Sequence, residues 1–145
     1  DVPFLVQGGT AFAEGIGEKL KPVTVEFPKA VLVATPHCAV PTKDAYAGVK
    51  PSGNVRWEQF RSAWNGTLSF EFYNKFEESV FPKYPMIQDL KNKLENLGAF
   101  KTLMSGSGAS VFALFDSEEN AKKALAIIEP TVRFSRITQF KEKLI

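Results

Sequence analysis

The chain has 145 residues, 44% of them hydrophobic, which is enough for one domain with a single core. Lysine and arginine number 18 against 16 aspartates and glutamates, and they are spread along the chain, which argues against a nucleic-acid partner. One cysteine, Cys38, excludes an internal disulfide, and no apolar run reaches the roughly 20 residues that span a bilayer. We therefore expect a cytoplasmic protein with no membrane partner.

The first part of the chain indicates strands and turns. It begins at Asp1 without a methionine or a signal-peptide pattern, so we expect it to be part of a longer protein. Residues 2–25 contain four glycines among short apolar runs, which favours strands and tight turns over a helix. The apolar run at residues 30–34, between two prolines, predicts a central strand. Thr42 is expected to cap a short helix that reaches Val49.

Three helices are predicted next, followed by a hairpin, a fourth helix and a last strand. The apolar faces of the three are Trp57, Phe60 and Trp64, then Phe70, Tyr73, Phe76, Val80 and Phe81, then Ile87, Leu90, Leu94 and Leu97. Strands are expected at residues 100–103 and 110–115, joined by a Ser-Gly-Ser-Gly turn. Ser117 is expected to cap a helix that ends at Pro130, and a strand should cover residues 132–140.

This order of elements predicts an α+β fold in which helices cover one face of an antiparallel sheet. The aromatic residues of the first two helices could form a base-stacking platform, as in nucleic-acid-binding proteins. Their helical spacing favours packing in the core instead. An RNA-binding domain would also need a basic face, which the even spread of charge does not indicate.

The loop from Ser105 to Ser110 is the most informative candidate site. Glycines such as Gly106 and Gly108 let backbone amides approach an anion, and serines such as Ser107 add hydroxyl donors, so the loop could border phosphates. It has no lysine, unlike a P-loop, and by itself it could be a simple hairpin turn.

Other reactive residues give weaker signals. Asp1, Glu14 and Glu18 are the acids nearest the glycine-rich opening and could include a base for phosphoryl transfer, although sequence chemistry does not choose among them. His37 and Cys38 are adjacent, and in an extended chain their side chains point to opposite faces, which argues against a catalytic dyad. One histidine and one cysteine also argue against a metal site.

Four segments in order carry a more specific pattern. They are Asp1-Val2-Pro3-Phe4, Ala11-Phe12-Ala13-Glu14-Gly15-Ile16-Gly17-Glu18, Pro41-Thr42-Lys43-Asp44-Ala45-Tyr46, and Ser105-Gly106-Ser107-Gly108-Ala109-Ser110-Val111-Phe112. Together they resemble the family of 4-diphosphocytidyl-2-C-methyl-D-erythritol kinases, which are GHMP kinases. The resemblance runs from Asp1 to about Glu129.

The resemblance implies that residues 1–145 are a GHMP kinase C-terminal domain with about four antiparallel strands in a ferredoxin-like arrangement. It implies an ATP-dependent kinase, using Mg²⁺, that phosphorylates the 2-hydroxyl of a cytidine diphosphate sugar alcohol in the non-mevalonate isoprenoid pathway. Asp1 stands at the position of the family's catalytic base. Ile16, Thr42 and Tyr46 stand where the cytidine end is held, and the Ser105–Ser110 loop stands where the family borders the phosphates.

The resemblance also implies a second lobe. The family's N-terminal lobe, with a catalytic lysine and the main ATP-binding loop, has no counterpart in these residues. We therefore expect this chain alone to be inactive and to bind no cofactor tightly. A stand-alone α+β module that binds a small ligand or a protein remains the alternative.

Overall fold

The computed structural model describes residues 2–22, 29–50 and 73–140. The described residues fall into two compact units: residues 2–22 and Phe140 belong to the first, and residues 29–50 and 73–139 belong to the second. The predicted helix with Trp57, Phe60 and Trp64 lies outside the described residues, as does Asp1. Among the described residues, no helix combines the length and apolar character needed to cross a bilayer.

The first unit contains a short helix and a hairpin. Helix α1 (Val2–Gln7) is followed by antiparallel strands β1 (Ala11–Glu14) and β2 (Lys19–Pro22). The prediction of strands and turns is confirmed for the hairpin and is wrong for α1. The glycines that suggested turns begin only at Gly8, whose φ of 67° and N–H bond to the Phe4 carbonyl suit the end of a helix.

The second unit is built on a four-stranded antiparallel sheet. Its strands are β3 (Ala30–Thr35), β4 (Lys101–Met104), β5 (Val111–Phe115) and β6 (Phe134–Thr138), in the spatial order β4-β5-β3-β6. The predicted central strand and the predicted hairpin are thus confirmed. Numbered by their order in the chain, the four strands run second, third, first, fourth across the sheet, which is the ferredoxin-like arrangement. The predicted α+β fold with an antiparallel sheet is therefore confirmed.

Among the described residues, four helices accompany this sheet. They are α2 (Thr42–Gly48), α3 (Glu77–Val80), α4 (Pro85–Asn96) and α5 (Glu118–Ile128), and a 3₁₀ turn (Glu129–Thr131) follows α5. Helix α4 packs on β4 and β5, and α5 packs on β3, β5 and β6. Leu32 lies opposite both Ala113 and Ile137, so the three side chains share the sheet face that forms the core.

Local sequence signals predicted some helix ends correctly and others incorrectly. Ser117 accepts a hydrogen bond from the Asn120 N–H at 3.2 Å, so the predicted cap of α5 is confirmed. The predicted cap at Thr42 is wrong, because Pro41 occupies the capping position and Thr42 is already the first helical residue. The second predicted helix is wrong at residues 73–76, which are not helical and precede α3, and its first predicted residue, Phe70, lies outside the described residues.

Candidate functional site

The loop between β4 and β5 is closed by its own backbone. Ser105 N–H donates to the Ser110 carbonyl at 2.8 Å, and Gly108 N–H donates to the Ser105 carbonyl at 3.0 Å. Gly106 and Gly108 have φ values of 54° and 93°, which side chains with a Cβ disfavour. Ser105 and Gly106 are exposed, so the tip of this loop is open to a ligand.

Two hydroxyl pairs connect this loop to the neighbouring elements. Ser110 Oγ lies 2.8 Å from Thr35 Oγ1 at the end of β3, in a partly buried contact. Ser107 Oγ lies 3.5 Å from Thr42 Oγ1 at the start of α2. The structure therefore brings the predicted residue Thr42 to the predicted loop, although they are far apart in the chain.

Tyr46 lies one helical turn after Thr42 and is 64% exposed. Its ring meets the Phe76 ring in a T-shaped contact, with centroids 4.9 Å apart and planes at 76°. Such aromatic pairs have a preferred geometry, so Phe76 orients the Tyr46 ring while much of that ring remains exposed. An exposed and oriented aromatic ring is suited to stacking on a nucleotide base.

Asn74 contacts both parts of this site, and sequence reasoning missed it. Its Nδ2 donates to the Met104 carbonyl at 2.8 Å and to the Gly106 carbonyl at 2.7 Å. Its Oδ1 accepts from the Phe76 N–H at 3.0 Å. An asparagine just before an acidic helix start is a typical turn signal, and this signal could have identified Asn74.

Glu77 supports the same strand end from the first turn of α3. Its Oε1 accepts from the Met104 N–H at 2.8 Å, and its Oε2 lies 2.7 Å from Lys91 Nζ. The Glu77 and Lys91 side chains are 15% and 19% exposed. Lys91 Nζ also lies 5.6 Å from the centre of the Phe81 ring. The carboxylate is thus satisfied on both oxygens, which holds β4 in place before the loop.

Ile16 belongs to the first unit. It lies in the turn between β1 and β2, is 96% exposed, and its N–H donates to Glu18 Oε2 at 2.7 Å. Glu18 therefore stabilises the turn that presents Ile16. The proposed base Asp1 lies outside the described residues.

Cys38 follows β3 and is half-buried, whereas His37 is exposed. Burial raises the pKa of the Cys38 thiol, and the nearby positive charge of Arg133 acts in the opposite direction. A raised pKa favours the neutral thiol, which is a poor nucleophile. Within residues 2–22, 29–50 and 73–140, no three His, Cys, Asp or Glu residues are grouped to hold a metal ion.

Comparisons with known proteins identify the family to which this chain is similar. Residues 58–130 match the family described as GHMP kinases C terminal. The chain is 39% identical over 129 residues to a 4-diphosphocytidyl-2-C-methyl-D-erythritol kinase of Bacteroides fragilis, covering 85% of this chain and 46% of that protein. A kinase of the same name from Thermodesulfovibrio yellowstonii is 32% identical over 141 residues, covering 89% and 49%. The chain thus spans about half the length of these relatives.

Similar solved structures include two kinases. One is a 4-(cytidine 5'-diphospho)-2C-methyl-D-erythritol kinase, with 26% identity and a TM-score of 0.66 over 89% of this chain and 48% of that one. The other is a homoserine kinase from Cytophaga hutchinsonii, with 22% identity and a TM-score of 0.72 over 98% of this chain and 50% of that one. At this lower identity, the second likeness shows the fold.

Proposed function

Since this chain belongs to the GHMP kinase family, we propose that it forms the C-terminal, substrate-binding half of an ATP-dependent kinase. The acceptor is the 2-hydroxyl of 4-diphosphocytidyl-2-C-methyl-D-erythritol, in the non-mevalonate isoprenoid pathway. The observation that carries this proposal is that Thr42 Oγ1 lies 3.5 Å from Ser107 Oγ in the loop, with Tyr46 one turn further along the same helix. The names and identities of the relatives support the same substrate.

The cytidine end of the substrate would bind at Tyr46. The exposed Tyr46 ring, oriented by Phe76, would stack on the cytosine, a contact that contributes roughly 1–3 kcal/mol per base in other stacking sites. The Thr42 hydroxyl would lie between this ring and the loop and could donate to or accept from the cytidine. For Ile16, a contact with the cytidine rests on the family resemblance alone.

The loop would border the phosphates of ATP. ATP, with Mg²⁺, supplies the phosphoryl group when it is bound. Gly106 lacks a Cβ and has open space beside it, which leaves room for a phosphate, and the exposed Ser105 can donate its hydroxyl proton to a phosphate oxygen. The loop contains no lysine, so the cationic group for the phosphates would come from the N-terminal lobe.

Asp1 would act as the base for the acceptor hydroxyl. A neutral alcohol must lose its proton as the phosphoryl group arrives, and a nearby carboxylate can accept that proton. A lysine of the N-terminal lobe would keep this carboxylate ionised by favouring its charged form. The role rests on the family resemblance of Asp1-Val2-Pro3.

The experiment compares two proteins: the 145-residue chain and the two-lobed protein encoded by its complete reading frame. We expect the two-lobed protein to phosphorylate the cytidyl substrate in the presence of ATP and Mg²⁺. We expect the 145-residue chain to show no turnover and no saturable heat with ATP in calorimetry, because the phosphates need the other lobe. Submicromolar ATP affinity of the short chain would contradict the proposal and favour a stand-alone binding module.

A further inference from the structure

The side chain of Asn74 uses both ends of its carboxamide. The amino group donates to two carbonyls, one at the end of β4 (Met104) and one at the tip of the loop (Gly106). The carbonyl oxygen accepts from the backbone of Phe76, whose ring contacts Tyr46. One planar group therefore joins the loop to the aromatic pair.

Residues 74–77 make two hydrogen bonds to the backbone of Met104 at the end of β4. Its carbonyl accepts from Asn74 and its N–H donates to Glu77. The loop is thus fixed by residues 74–77 as well as by its own backbone bonds. A shift of this segment would move Phe76 and the loop together, because both are bonded to Asn74.

From this geometry we propose that Asn74 is a positioning residue that couples the Tyr46–Phe76 pair to the Ser105–Ser110 loop. The proposal rests on the proposed function, in which Tyr46 holds the cytosine and the loop borders the ATP phosphates. Asn74 then fixes the distance between the two substrates. It contacts neither of them and acts through Phe76 and Gly106.

Three substitutions separate the two connections. Asn74→Asp keeps the oxygen that accepts from Phe76 and replaces the amino group by an oxygen, which repels the carbonyls of Met104 and Gly106. Asn74→Ala removes both connections. Phe76→Leu keeps the backbone N–H and removes the ring contact with Tyr46. Asn92→Asp, at an exposed position of α4, is the matched control for the added charge.

The first measurement is steady-state kinetics of the two-lobed protein. Asn74→Asp should raise the KM for ATP and lower kcat, so that kcat/KM for ATP falls by about tenfold. The KM for the cytidyl substrate should change less than about twofold. Phe76→Leu should raise only the KM for the cytidyl substrate. Asn74→Ala should change both. Equal effects of Asn74→Asp on both substrates, or no effect on either, would overturn the proposal.

The second measurement does not depend on kinase activity. Amide hydrogen exchange of the 145-residue chain should be faster at Gly108 in Asn74→Asp while Phe76 stays protected. In Asn74→Ala both amides should exchange faster, and in Asn92→Asp neither should change. If the exchange rate of the Gly108 amide is unchanged in Asn74→Asp, the proposed coupling is contradicted. An inactive wild-type two-lobed protein with the expected exchange pattern would instead reject the kinase assignment and leave the coupling in place.

Discussion

Lys91 Nζ lies 2.7 Å from Glu77 Oε2 and joins α4 to the first turn of α3. Both side chains are largely buried, so solvent and salt screen this pair less than a surface pair. Lys91→Met would leave the Glu77 carboxylate without its cation. We expect the free energy of unfolding to fall by about 1–3 kcal/mol, between the values for exposed and buried pairs.

Urea unfolding of the 145-residue chain measures this effect. The double variant Glu77→Gln with Lys91→Met should regain part of the loss, because it removes the uncompensated charge. Lys123→Met, which breaks the exposed pair with Glu119, is the control and should leave the midpoint nearly unchanged. Equal midpoints for Lys91→Met and Lys123→Met would contradict the assigned role of the Glu77–Lys91 pair.

Gly108 and Gly98 allow backbone strain to be separated from side-chain crowding. Both have a φ of 93°, but a Cβ at Gly108 would lie 3.0 Å from Met104 Sδ, whereas a Cβ at Gly98 would meet nothing within 4 Å. Gly98→Ala should cost about 1–2 kcal/mol for the left-handed backbone. Gly108→Ala should cost about 2–4 kcal/mol, since Met104 must also move. Thermal unfolding tests the order, and a larger loss for Gly98→Ala would refute it.

The thiol of Cys38 should titrate at higher pH in the folded chain than in the unfolded chain, because burial raises its pKa. Its alkylation by iodoacetamide should therefore be slower in buffer than in urea at the same pH. Between the pKa of the unfolded thiol and that of the folded thiol, the unfolded state binds fewer protons than the folded state. The free energy of unfolding therefore falls as the pH rises through this range. Arg133→Ala should move the folded titration further upward. A downward shift would contradict this account.

In the two-lobed protein, Tyr46→Ala should mainly raise the KM for the cytidyl substrate. Loss of stacking costs roughly 1–3 kcal/mol, or about 5- to 150-fold in KM. The effect should spare kcat, because a contact remote from the reacting hydroxyl is shared by ground and transition states. Tyr46→Phe keeps the ring and should be mild. An unchanged KM for Tyr46→Ala would assign Tyr46 to packing against Phe76.

Asp1→Asn tests the proposed base in the same protein. The amide keeps the shape of the side chain but does not accept a proton, so kcat should fall by about 10²- to 10⁴-fold while substrate binding is preserved. Binding is measured by calorimetry with the cytidyl substrate. In the 145-residue chain the same change should leave urea unfolding unaltered. Near-normal kcat would leave Asp1 with a positioning role.

Elements with their own local signals were predictable from the sequence. Helix α4 buries Ile87, Leu90 and Leu94, the spacing that predicted it, and Ser117 caps α5 as its position indicated. Thr42 shows that such signals do not define the first residue of a helix to within one position. A capping residue and the first helical residue differ by one position, and with Pro41 in the capping position the Thr42 hydroxyl lies near Ser107 instead.

The candidate site was harder to predict because its parts are distant in the chain. Thr42 and Ser107 were associated only through the family resemblance, and no local pattern places their hydroxyls side by side. Asn74 was missed because the aromatic spacing around it predicted a continuous helix. Its side chain bonds to the backbone instead, which competes with helix formation, and its carbonyl partners lie some 30 residues further along the chain.

The sheet order also bears on how the protein is synthesised. Leu32 in β3 pairs with Ala113 and Ile137, so both neighbours of this inner strand are translated long after it. Pairings between distant segments form late, because the loop between them must first be closed. During translation, β3 therefore cannot pair on both edges until almost all of this chain has been synthesised. A translation product that stops before Phe134 would expose one edge of β3, an apolar strand open to pairing with other nascent chains.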